Sequence, residues 1–234
     1  MSYSILTESI ILITWGLTPW YTYLLFYQGQ RSHKKAVLFS LFVLLWSLFG
    51  FNAAKYQFDA LPGLIGDARP LLYLLFFLII TWLFRWKIVG NGLSQHLLVA
   101  LQIFRSIGGL FLLEHYYGHL PAVFAYPAGL GDILVGVLAT YATIKFNRKD
   151  IPDQWVKIIV ILGSIDFISA FFFGFFSSPS PLQLFSIEQP NTVIEYPTGI
   201  IPLFLVPFAF CAHILSWTEM KRRHLKKPHG ELCT

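Results

Sequence analysis

Residues 71–88 read LLYLLFFLIITWLFRWKI. No charge occurs before Arg85, and apolar side chains fall on every side of a 3.6-residue helix instead of along one stripe. A helix lying on a soluble core keeps a polar face. This one has none, so its solvent has to be apolar as well. A hydrocarbon core about 30 Å thick needs roughly 17 to 25 helical residues per crossing, and Leu71 to Ile88 is long enough.

Six further stretches meet the same test: Ile5 to Tyr27, Ala36 to Asn52, Leu97 to Tyr117, Pro127 to Phe146, Val156 to Phe175 and Tyr196 to Trp217. The expected fold class is all-α, an integral membrane bundle of seven transmembrane helices forming one domain over residues 1–217, with a basic tail at 218–234. The whole composition agrees. Of 234 residues, 56% are hydrophobic and 18% aromatic, and only 12% are charged, against about 25% in soluble domains. A water-soluble globule is excluded. The first stretch lacks a basic n-region and a small-residue cleavage site, so it is expected to be retained as a span. Cys211 and Cys233 can form neither a disulfide framework nor a metal pair. No connection is long enough for a soluble domain, and the longest, rich in Ser and Pro from about Phe176 to Glu195, is expected to lie over the outer mouth as an irregular lid.

The seventeen Lys and Arg against twelve Asp and Glu give +5. Such an excess marks either a nucleic-acid surface or cytoplasmic loops. With the N-terminus outside, the inner loops and tail hold Arg31, Lys34, Lys35, Arg85, Lys87, Lys145, Arg148, Lys149, Lys157, Lys221, Arg222, Arg223, Lys226 and Lys227. The outer loops keep only Lys55 and Arg69. This asymmetry predicts an inner-membrane protein with its C-terminus in the cytoplasm and the lipid bilayer as its surroundings, and no nucleic-acid partner. Trp86, Trp155 and Trp217 fall beside three of the basic clusters, as an interfacial aromatic belt requires.

The remaining cation, Arg105, falls in the middle of the fourth span. A charge at that depth costs about 2.5–3.5 kcal/mol on insertion scales and needs a partner. Asp166, in the sixth span, has a matching depth by helical rise, and the two are expected to pair. Glu114 lies on the opposite side of the fourth helix from Arg105. The short GHLPAVFAY connection brings it to the depth of Asp132, and the two are expected to form an outer acidic site. Asp132 shares a face with Gly129, Gly136 and Thr140, a small-residue stripe suited to close packing. His213, in the last span, is expected to face the inner end of the cavity. Pro202 and Pro207 should kink that span and free carbonyls inside the bundle.

His115 and His119 form an H-x-x-x-H pair, which on a continuous helix could hold a divalent metal with Glu114 or Asp132. Against this stand Gly118 and Pro121, which should end the helix before His119. A b-type haem would need His213 and a second histidine at its depth, His96 being the nearest candidate. The aromatic run at Phe171 to Phe176 reads as packing or lipid-facing material.

The seven-span layout is that of microbial rhodopsins, but no retinal Schiff base is expected, because no lysine occurs between Tyr196 and Trp217. Sugar transporters with two three-span repeats share the layout, without their proline pattern in spans two and six. Arg105, Glu114, Gly118, Leu120 and Pro121, then Gly131, Asp132 and Ile133, and finally Ile201, Pro202, Leu205, Val206, Pro207 and His213 carry a further likeness. In them the chain resembles a family of uncharacterised bacterial polytopic membrane proteins, which implies no established activity. Three functions are open at this point. The leading one is a polar cavity that binds or translocates a small polar solute, ion or proton. The others are a membrane metalloenzyme, or less readily a haem enzyme, and a membrane sensor or accessory subunit.

Overall fold

The computed structural model describes residues 3–56, 69–146 and 150–226, so Arg148, Lys149 and the tail from residue 227, with Cys233, lie outside the described residues. Within the described residues the chain is helical and has no strand. The helices are α1 (Ile5–Gln30), α2 (His33–Tyr56), α3 (Arg69–Val89), α4 (Gln95–Tyr116), α5 (Ala122–Lys145), α6 (Asp153–Ser177) and α7. The last opens with a π turn, Ile201–Leu205, and continues as the α-helix Val206–Lys226. All seven are long and apolar enough to cross a membrane.

Local chemistry sets their ends. Ser4 and Ser94 cap α1 and α4 by accepting the N–H of Thr7 and of Leu97, which satisfies donors that no helical carbonyl reaches. Pro121 and Pro152 stand immediately before α5 and α6. Three boundaries differ from the sequence reading by five residues or more. Helix α5 starts at Ala122 and not at Pro127: the Pro121 carbonyl accepts from Phe124 and Ala125 and starts the helix, leaving Pro127 in its interior. Helix α7 starts after Tyr196, at Ile201, because residues 196–199 form turns. It then runs past Trp217 to Lys226 because Thr218, Glu219 and Met220 are buried against neighbours. The kink expected from Pro202 and Pro207 takes the form of the π turn, one way a helix absorbs missing N–H donors.

Helix α7 is the axis of the molecule. It packs on α2 and α3 on one side and on α4 and α6 on the other, while α1 pairs with α2, and α5 packs between α4 and α6. Trp46, Phe77, Phe204 and Phe208 fill the contact of α2, α3 and α7. Val99, Val135, Ile159 and Met220 form a second apolar core among α4 to α7. Large apolar side chains such as Leu45, Leu83 and Ile168 turn outward, each about two-thirds exposed (67%, 68% and 67%). That pattern fits lipid and would be costly in water.

Helix α4 is not uniform. Its middle, Gln102–Gly108, winds as a 3₁₀-helix, which puts residues three apart on one line. Arg105 and Gly108 therefore share a side. A Cβ on Gly108 would collide with the side chain of Asp132 on α5, so the missing side chain lets α5 come close enough for Asp132 to reach the arginine.

Candidate functional site

Arg105 is almost completely buried, at 1% exposure, and every arm of its guanidinium is engaged. Nε donates to Asp132 Oδ1 at 2.6 Å, Nη2 donates to Asp166 Oδ2, and Nη1 donates to His213 Nε2 at 3.3 Å. The guanidinium carbon lies 3.9 Å from the centre of the Phe167 ring, a cation–π contact. Four helices thus converge on one cation: α4 supplies it, α5 and α6 each supply a carboxylate, and α7 supplies the imidazole. The close approach of α6 rests on Gly163, where any side chain would run into both His213 and Arg105.

The charges in this cluster do not cancel. His213 accepts an N–H at Nε2, so the imidazole is neutral, leaving one guanidinium against two carboxylates. Asp166 Oδ1 is buried without a partner among the described residues, and Asp132 Oδ2 has none either. An uncompensated negative charge in a low-dielectric interior is unfavourable by several kcal/mol in rough terms. With both carboxylates ionised, the cluster carries a formal excess of one negative charge.

Asp132 also lines a cavity of about 150 Å³ among α4 to α7, closed in part by Pro70 and Leu71 at the start of α3. Phe111, Phe124, Phe167, Phe171 and Phe175 contribute to its wall, so the Phe171–Phe176 run supplies cavity surface as well as packing. Its roof is the connection before α7, at Asn191 to Glu195. That connection is tied to the α4–α5 turn by Gln189, whose amide donates to the Gly118 carbonyl at 2.8 Å, and by Thr192, which donates to the His119 carbonyl at 3.4 Å.

Glu114 belongs to a different cluster from the one expected. It is fully buried, but its Oε1 accepts from the Ser4 hydroxyl at 3.0 Å, from the Ser4 N–H at 3.4 Å and from the Thr7 hydroxyl, while its Oε2 accepts from His119 Nδ1 at 2.5 Å. It holds the N-terminus of α1 to the end of α4. The outer acidic site of Glu114 with Asp132 does not form, because α5 turns Asp132 onto Arg105 and α1 occupies Glu114. Burial raises the Tyr3 phenol above its ordinary range beside this cluster, where it donates to the Thr192 carbonyl at 3.0 Å. Nearby, Tyr196 donates to Glu8 at 2.7 Å and is pushed up to about 12 by burial and then by that carboxylate.

The H-x-x-x-H pair is split. Helix α4 ends at Tyr116, and Gly118 takes a φ of +78°, so His119 leaves the helical register. His115 Nδ1 donates to the Leu120 carbonyl at 2.8 Å, and His119 is held by Glu114. Among the described residues no three His, Cys, Asp or Glu side chains group closely enough to hold a metal ion. The haem pair fares no better. His96 donates to the Thr143 carbonyl at 3.1 Å, whereas His213 faces Arg105.

Below the cluster, polar groups continue along the contact of α4 and α7. Gln102 donates to the Ala209 carbonyl at 3.2 Å, Gln95 donates to Ser216, and the buried Glu219 accepts the Leu93 N–H at 3.1 Å and pairs with Arg222. Apart from Gln102, which falls on the Arg105 face, and Arg222, read as a tail cation, sequence reading missed these residues, along with Asn191, Phe167, Ser4 and Thr7. A polar residue every three positions on α7, at His213, Ser216, Glu219 and Arg222, was the available signal.

Seven apolar helices closing on a four-helix ionic cluster make this an all-α, multi-pass membrane protein. A domain of unknown function, DUF8737, matches residues 69–219, and the chain belongs to that family. The matched region contains Arg105, Asp132, Asp166 and His213 and leaves out α1 and α2. No curated protein and no solved structure matches the chain.

Proposed function

We propose that this is an inner-membrane protein, N-terminus outside and C-terminus cytoplasmic, whose Arg105 cluster is an exchange site for a single positive charge, a proton or a small cation. The cavity at Asp132 is its access from the outer side, and a small polar solute or ion enters there. The orientation rests on the distribution of Lys and Arg. One observation carries the functional reading: two carboxylates share one guanidinium, and one of them, Asp132, faces the cavity. A purely structural ion pair needs one acid for one arginine. The second acid adds a charge that a resting membrane protein has no reason to bury, and intramembrane carboxylates of this kind accompany proton and ion pathways. His213, on the inner side of the guanidinium, leads toward the polar contacts of Ser216 and Glu219.

The test is proton movement in vesicles containing the purified protein and a trapped pH-sensitive dye, under an imposed membrane potential. Wild-type protein is expected to carry protons, and Asp132→Asn and Asp166→Asn are each expected to lower the rate at least about ten-fold, the change that loss of roughly 1.4 kcal/mol of transition-state stabilisation produces. Equal rates in wild type and both variants would remove the exchange reading.

A further inference from the structure

The cavity above Asp132 has the dimensions and chemistry of a binding site. We infer that it takes a small monoamine, with an apolar body about the size of a benzene ring and a hydrogen-bond acceptor at the end away from the nitrogen. This rests on the exchange reading above and supplies its second cation.

Four observations converge. First, an apolar cavity of roughly 150 Å³ holds a benzene-sized molecule, and this one has about that volume, with five phenylalanines in its wall. Second, its base is Asp132, whose Oδ1 is taken by Arg105 while Oδ2 has no partner among the described residues. An ammonium group donating to Oδ2 would bring the cluster to two cations and two carboxylates, which is neutral. An anion or a neutral solute would leave the excess negative charge in place. Third, aromatic faces attract a cation, and Phe167 already does so for Arg105. Fourth, the roof contains Asn191, 1% exposed. Its Oδ1 accepts the Val193 N–H at 3.0 Å, but its Nδ2 is buried without a partner. That nitrogen lies 3.9 Å from where a Cβ on Gly174 would be, and Asn191 and Gly174 both line the cavity. A buried amide donor left unmade is costly, and a hydroxyl or ether oxygen on the far end of the ligand would satisfy it.

A proton and an ammonium group then compete for one vacancy. Binding of the amine at Asp132 and protonation of the carboxylate pair exclude each other by charge, which is the minimal arrangement for exchanging an amine against a proton without moving net charge through the site.

The experiment measures binding to the full-length protein in detergent by thermal shift and calorimetry. Benzylamine is the test probe, benzyl alcohol the neutral analogue, benzoate the anionic one and 4-hydroxybenzylamine the probe for the roof. Benzylamine is expected to bind roughly ten- to hundred-fold more tightly than benzyl alcohol, the range for one hydrogen bond to a charged group, and benzoate not to bind. The 4-hydroxy compound should bind more tightly than benzylamine in wild type and equally in Asn191→Leu. Because Asp132→Asn disturbs the arginine and can unfold the chain, the blocking variant is Ala170→Phe, which fills the cavity from α6 without touching the ion pairs. It should abolish benzylamine binding. Equal affinity for benzylamine and benzyl alcohol, or full binding in Ala170→Phe, overturns the inference. The proton-flux test fails or succeeds separately: flux lost in Asp166→Asn with no amine binding leaves the exchange site standing without this ligand, and amine binding with no flux does the reverse.

Discussion

At the scale of single residues, the most consequential is Arg105, because three other side chains take their charge or orientation from it. Arg105→Ala leaves two buried carboxylates facing each other. Breaking a buried pair by removing one partner costs about 3–5 kcal/mol, so thermal unfolding in detergent should show a large loss of stability. Adding Asp166→Asn to Arg105→Ala should recover part of it by removing one of the two stranded charges. A double variant less stable than Arg105→Ala alone would contradict the charge count. Sequence reading could pair Arg105 with Asp166 because both are spaced from span ends by countable residues. It did not place Asp132 there: Gly108, three residues on from Arg105, was legible as room for another backbone beside the guanidinium, but the 3₁₀ segment that turns this side of α4 onto α5 is not visible as a periodicity. Glu114 was legible as buried and acidic, but its partners, Ser4, Thr7 and His119, come from the far end of the chain and from a turn. Glu114→Ala should free the first turn of α1, with a cost of about 1–3 kcal/mol for the stranded donors. Faster hydrogen exchange at residues 4–8 would show it, and unchanged exchange there would argue that α1 is held by packing alone.

At the scale of helices, the cluster depends on how closely α6 approaches α4 and α7, and Gly163 sets that distance. Gly163→Ala forces a methyl group into Arg105 and His213. Overpacking of this kind costs about 1–3 kcal/mol, and the variant should unfold earlier and carry protons more slowly. Gly16 on α1 meets nothing within 4 Å, so Gly16→Ala is the matched control and should be neutral or slightly stabilising. If the two substitutions have equal effects, helix propensity and not the close approach decides. The number of helices was legible because each span is a long apolar run bounded by charge, Pro or Gly, the second and third being apolar all round. The ends of α5 and α7 were not. Pro127 reads as a helix start although Pro121 supplies the actual one. The basic composition after Trp217 hides the buried positions Thr218, Glu219 and Met220, which keep α7 helical.

At the scale of the whole molecule, α7 organises two unlike halves. Its contact with α2 and α3 is apolar and aromatic, and its contact with α4 and α6 carries the ionic cluster, the polar contacts leading inward and the wall of the cavity. The family match covers the second half together with α3 and omits α1 and α2, so it contains every residue of the Arg105 cluster. The charge asymmetry behind the proposed orientation is a property of loops, and under that orientation Asn191 and the cavity roof face outside. A C-terminal fluorescent or phosphatase fusion should accordingly report the cytoplasm, and a periplasmic signal would invert the access route. The central claim is that the Arg105 cluster holds one exchangeable positive charge. Infrared difference spectroscopy of the protein in lipid reads the protonated carboxyl directly. The account predicts one protonated-carboxyl band in the absence of added cations, lost in Asp166→Asn and in Asp132→Asn but kept in Glu114→Gln. No such band in wild type, or a band that survives in both aspartate variants, would contradict it.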